Sequence, residues 1–207
     1  MAQTGQYWTV LKKGVWFDNP VFIQILGICS TLAVTNQLTN TLIMALGVTF
    51  ATAFGDFTIS ALRNFTPRKV RMIVQVLVFS FYVIIVDIIL RAFLPEISKQ
   101  LGPYVGLIIT NCILMGRAEA FAISNKPLIS FWDGLTAGLG YTFVLLSIAF
   151  VRELLGFGSL FGIPVAPAGF EKWIIMVMPP SAFFMIGTLL WIAKSIMNKP
   201  KPQGGKP

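Results

Sequence analysis

Six apolar segments joined by short polar connections constrain this chain more than any other feature. Four are long: Thr41–Leu62, Val70–Leu94, Leu128–Val151 and Trp173–Ile196. A membrane-spanning helix needs ~20 predominantly apolar residues. In lipid only helices and closed barrels satisfy every backbone polar group. Two further segments, Val21–Val34 and Leu101–Met115, are shorter than a comfortable span. Charged residues make up 12% of the chain, about half the share in an average soluble domain. The expected fold is therefore an all-α integral membrane protein of six transmembrane helices.

The polar stretches set the expected organisation. Residues 1–20 read as a cytoplasmic N-terminal segment without a cleavable apolar region. Residues 21–196 read as the membrane domain and 197–207 as a basic cytoplasmic tail. Lysine and arginine are unevenly divided between the two faces. One face collects Lys12, Lys13, Arg63, Arg68, Lys69, Arg71, Arg117, Lys126, Lys194, Lys199, Lys201 and Lys206; the other holds Arg91, Lys99, Arg152 and Lys172. The positive-inside rule then places both termini in the cytoplasm. The net charge of +8 lies in loops between apolar spans, so it does not point to nucleic acid.

Three spans per half send the second half in from the opposite face. A repeat of about 21–94 and about 101–196 must therefore be inverted. Each half offers a short cysteine-bearing segment, a long span rich in small residues and a long aliphatic span. Short or broken hydrophobic segments at corresponding places in two repeats point to a site near the bilayer midplane.

The two cysteines, Cys29 and Cys112, occupy those short segments. Counted at ~1.5 Å per residue from opposite faces, each lies roughly 15 Å deep, so the two thiols are expected to meet near the centre of the membrane. The residues alone leave three readings open: packing cysteines, a disulfide, or metal ligands. Tetrahedral iron–sulfur or zinc sites take four ligands. With no histidine in the chain, another chain would have to bring the rest.

Acids inside spans are functional candidates by default. Asp56 stands among the hydroxyls of Thr52, Thr58 and Ser60; Asp87 has Arg91 four residues on; Asp133 opens the fifth span, where a first-turn acid is the bland alternative. Glu119 is placed to pair with Arg117. Gly134, Ala137, Gly138 and Gly140 suggest close helix packing. Pro179-Pro180 suggests a kink or delayed start of the last span, and Trp173 and Trp191 suggest interfacial anchors.

The stretches NPVFIQILGICSTLAVT, EISKQLGPYVGL, LIITNCILMGRAEAFA and PSAFFMIG closely resemble the D-type subunits of bacterial Na+-translocating NADH:quinone oxidoreductases. The resemblance runs from about Asn19 to Trp191 and is shared with the E-type subunit of the Rnf ferredoxin:NAD+ oxidoreductase. It implies a subunit of the bacterial inner membrane, paired with a homologous, oppositely oriented E-type subunit. The other partners implied are flavoproteins and an NADH-binding iron–sulfur subunit. It also implies that Cys29 and Cys112 supply two of four ligands to a [2Fe–2S] cluster relaying electrons to ubiquinone, with Na+ as the coupling ion. No GxGxxG occurs in the chain, so neither NAD nor flavin is expected to bind to it directly. Asp133, Asp87 and Asp56 are the ion-path candidates. The competing class is a secondary transporter with an inverted repeat, in which the acids bind the coupling ion and the cysteines only pack.

Overall fold

The computed structural model describes residues 26–93, 95–160, 163–164, 175 and 178–197. In chain order these form α1 (Ile28–Val34), α2 (Leu38–Leu62), a 3₁₀ turn (Arg68–Val70), α3 (Arg71–Phe93), α4 (Pro95–Ile109), α5 (Cys112–Arg117), a π turn (Ala118–Ala122), α6 (Pro127–Gly156) and α7 (Pro179–Met197). A two-residue antiparallel ribbon pairs Ser159–Leu160 with Ile163–Pro164. Four described stretches are long and apolar enough to cross a membrane: Leu38–Leu62, Arg68–Phe93, Tyr104–Ala122 and Pro127–Gly156. The start of the expected first span, the stretch around Trp173, the segment 1–20 and the tail 198–207 lie outside the described residues.

The centre of the bundle is the pair α2–α6. Each helix buries one broad face against its neighbours and leaves an apolar face, with Phe50 and Phe57 on α2 and Phe143 and Phe150 on α6, exposed. Their backbones approach at two glycines spaced by four. A Cβ at Gly134 would stand 3.0 Å from Ala53 Cα and Thr52 O, and one at Gly138 would stand 2.8 Å from Thr49 Cα. Lipid is as apolar as leucine, so packing of this kind rather than water exclusion holds such helices together. α3 is peripheral. It buries only Gln75, Phe79 and Val83, one stripe at a spacing of four, while Ile73, Leu77, Phe81, Ile84 and Ile88 are exposed. Phe79 packs where Gly55 leaves room, 2.3 Å from a would-be Cβ.

Three expected boundaries are corrected. Leu101–Met115 is not an isolated short segment: α4 starts at Pro95, the chain breaks at Thr110-Asn111, and helix resumes as α5 and the π turn through Ala122. Residues 95–100 and 116–122, which fall between the expected spans, are helical. Pro95 and Glu96 suit a helix start, and Arg117 can stay inside because it is paired there. The fifth span likewise runs past Val151 to Gly156, carrying Arg152 and Glu153 into the interior. The Arg152 guanidinium donates to Thr35 Oγ1 and Met178 O, and a Glu153 carboxylate oxygen accepts from the Leu38 N–H that opens α2.

Candidate functional site at the helix breaks

The interruption between α4 and α5 lies against the start of α1. Asn111, at the break, caps α5 by accepting from the Ile113 N–H at 3.3 Å. Cys112 is the first residue of α5. Gly27 precedes α1 with φ +91°, a conformation that L side chains rarely adopt. That twist aims the Gly27 N–H at Cys112 Sγ, to which it donates at 2.8 Å. Tyr141 of α6 ties the junction together. Asn111 Nδ2 donates to the Tyr141 hydroxyl at 3.2 Å and to Ser30 Oγ at 3.3 Å, and the Ser30 and Tyr141 hydroxyls bond to each other. Ser30 and Thr31 donate to Gly27 O at 2.9 and 2.7 Å.

Both thiols lie within electrostatic reach of the Tyr141 hydroxyl. Cys29 and Cys112 are free thiols, Cys29 exposed and Cys112 half-buried. Among the described residues, no three His, Cys, Asp or Glu side chains gather as a metal set. The donor set nevertheless fits half of a thiolate-ligated cluster. Each cysteine lies at the start of a short helix, the Cys112 sulfur receives a backbone N–H of the kind that tunes such centres, and Cys29 is exposed.

The sequence marks Asn111 only as a hydrogen-bonding neighbour of Cys112 and does not single out Tyr141. A tyrosine in the middle of a glycine-rich span was the available signal, because a buried phenol needs a hydrogen-bond partner.

The acids separate into different environments. Asp87 pairs with Arg91 at 2.8 Å, one helical turn on along α3, and Arg91 is exposed. Asp133 does not cap α6, whose first residue is Pro127. Both of its oxygens are taken by Arg117, Oδ2 by Nε at 3.0 Å and Oδ1 by Nη2. Glu119 consequently does not pair with Arg117 and accepts instead from Arg71 at 3.1 Å and Gln75 at 3.0 Å. Nor do the hydroxyls near Asp56 serve it. Thr52 donates to Val48 O, Thr58 to Phe54 O, and Ser60 to Asn125 O. The sequence separation of Arg117 and Asp133 hid a buried ion pair at this end of α6.

The family described as "Rnf-Nqr subunit, membrane protein" matches residues 7–190. The chain is 48% identical over 200 residues to the D-type subunit of the Na(+)-translocating NADH-quinone reductase of Pseudoalteromonas translucida, covering 94% of this chain and 95% of that one. It is 47% identical over 201 residues to the subunit of the same name in Psychromonas ingrahamii, and 48% identical over 201 to that of Photobacterium profundum. Each of these two alignments covers 95% of this chain and 96% of the relative.

Proposed function

This chain belongs to the Rnf-Nqr family of membrane subunits, and from that premise we propose that it works as the D-type subunit of a Na+-translocating NADH:quinone reductase. In this reading Cys29 and Cys112 give two of the four thiolates of an intramembrane [2Fe–2S] cluster, and an oppositely oriented homologous subunit gives the other two. The observation that supports it is the junction itself: Cys112 opens α5 at a helix break, and its Sγ accepts from the N–H of Gly27, two residues before Cys29. Bound there, the cluster supplies a one-electron relay partway across a ~30 Å hydrocarbon core.

The residues of this chain have definite tasks in that role. Asn111 fixes the start of α5 and so the position of Cys112. Tyr141 and Ser30 lock α1 against the break. The relatives carry the name of the D-type subunit of the NADH-quinone reductase, which favours this assembly over an Rnf complex.

The order of elements supports an inverted repeat of about 21–94 and about 101–196 within a six-span domain. A short cysteine helix, a long glycine-bearing helix and a peripheral helix occur as α1, α2, α3 and again as α5, α6, α7. The basic bias supports cytoplasmic termini in a bacterial inner membrane. Removing the buried Arg117 and Arg152 from the tally leaves the excess on the same face. Asp133, Asp87 and Asp56 remain the ion-path candidates of this subunit.

The decisive experiment is Cys29→Ser and Cys112→Ser in the whole complex. A centre held by four thiolates tolerates loss of a ligand poorly, so each variant should lose quinone reduction, an iron–sulfur EPR signal and about two irons per complex. NADH oxidation by an artificial acceptor at the flavoprotein should survive. Normal quinone reduction with full iron in either variant refutes the assignment.

A further inference from the structure

Among the described residues, no hydrogen-bond donor reaches the Asp56 carboxylate. The residue is 1% exposed, and neither Oδ1 nor Oδ2 meets a partner. It sits on α2 against the backbone of α6, where a Cβ at Gly134 would stand 3.0 Å from Asp56 Oδ2. The residue before Gly134 is Asp133, clamped by Arg117. Asp133 is 3% and Arg117 6% exposed, and the charges of both bear on Asp56.

Two carboxylates and one guanidinium thus share a single buried patch. Ionised, they carry two negative charges against one positive. An uncompensated ion in such surroundings costs several kcal/mol even after relaxation, and an intramembrane charge is costlier still. Nearby hydroxyls offer no relief, since Thr52, Thr58 and Ser60 donate elsewhere and Thr136 donates to Asp133 O at 2.9 Å. The remedy that leaves the Arg117–Asp133 pair intact is one further positive charge at Asp56.

We propose that Asp56 is the binding site of a single monovalent cation, a proton or an alkali metal ion, which neutralises the buried Asp56–Asp133–Arg117 patch. The proposal deepens the function given above and rests on that reading for the identity of the occupant. The charge imbalance stands without it. Cys112 opens and Arg117 closes the same six-residue helix, so the cation patch and the thiol junction share one rigid element.

The test uses the whole complex in lipid nanodiscs, as wild type, Asp56→Asn and Asp133→Asn. Bound 22Na+ is measured by equilibrium dialysis in choline buffer, and the protonated-carboxyl stretch by infrared spectroscopy in H2O and D2O. Asp56→Asn should lose one bound Na+ per complex if the occupant is the alkali ion, or one carboxyl band if it is the proton. Asp133→Asn removes the surplus negative charge and frees Arg117 to neutralise Asp56, so it should show the same loss. It also decides the matter if Asp56→Asn fails to assemble. Wild-type Na+ stoichiometry together with unchanged carboxyl bands in the variants that assemble overturns the proposal. Iron content and the reduced EPR spectrum, read on the same wild-type samples, report separately on the cluster, so either idea can fail alone.

Discussion

Replacing Gly27 by alanine tests the junction at its tightest point. Two costs add. The backbone there has φ +91°, and holding an L residue in the left-handed region costs about 1–2 kcal/mol. The new methyl would also stand 2.7 Å from Tyr141 Cε2 and 3.2 Å from Cδ2. That ring is fully buried and its hydroxyl is held by Ser30 and Asn111, so it cannot swing aside freely. Overpacking of this kind costs about 1–3 kcal/mol. Together these give about 2–5 kcal/mol, roughly a thirty-fold to several-thousand-fold shift against the closed junction. The assay is denaturant or thermal unfolding of the purified complex for Gly27→Ala, Tyr141→Leu and the double variant. Removing the ring removes the steric part but not the backbone part. The double variant should therefore be more stable than the sum of the singles by about 1–3 kcal/mol. A Gly27→Ala protein as stable as wild type, or strict additivity in the cycle, refutes the reasoning.

Three other substitutions probe the rest of the interior, and a fourth its edge. Arg117→Met takes the guanidinium away from Asp133 beside Asp56 and should destabilise the complex by about 3–5 kcal/mol. Asp133→Asn should cost less, because Arg117 then has Asp56 to pair with; equal losses in unfolding experiments would count against that exchange. Gly138→Ala drives a methyl to 2.8 Å from the Thr49 Cα, Cγ2 and Oγ1 atoms, and a destabilisation of about 1–3 kcal/mol should appear in thermal unfolding of the complex. Asp87→Asn breaks only a one-turn pair and should change stability by no more than about 0.5 kcal/mol. With iron content unchanged, it should raise the Na+ concentration needed for half-maximal turnover, and an unmoved sodium dependence would mark Asp87 as a structural acid.

The apolar runs by themselves determined that this chain is helical and lies in a membrane, because lipid offers a backbone no other partner than itself. They also marked Cys29 and Cys112 as residues of short apolar segments, and the glycines of α6 as a packing face, since those signals are local. What the sequence could not carry was the pairing of charges across the bundle. Arg117, Arg152 and Glu153 look like loop residues when each is weighed only against its neighbours in the chain. In three dimensions Asp133, Thr35 and the first N–H of α2 are their partners, and partnered charges can lie inside a helix instead of ending it. The same distance effect hid Tyr141, whose hydroxyl matters only because α1 and the break before α5 arrive beside it. It misled over Asp56 too: its hydroxyl neighbours along α2 spend their hydrogens on carbonyls and other partners, and only the approach of α6 shows that, among the described residues, this acid has no donor although it lies beside the Arg117–Asp133 pair.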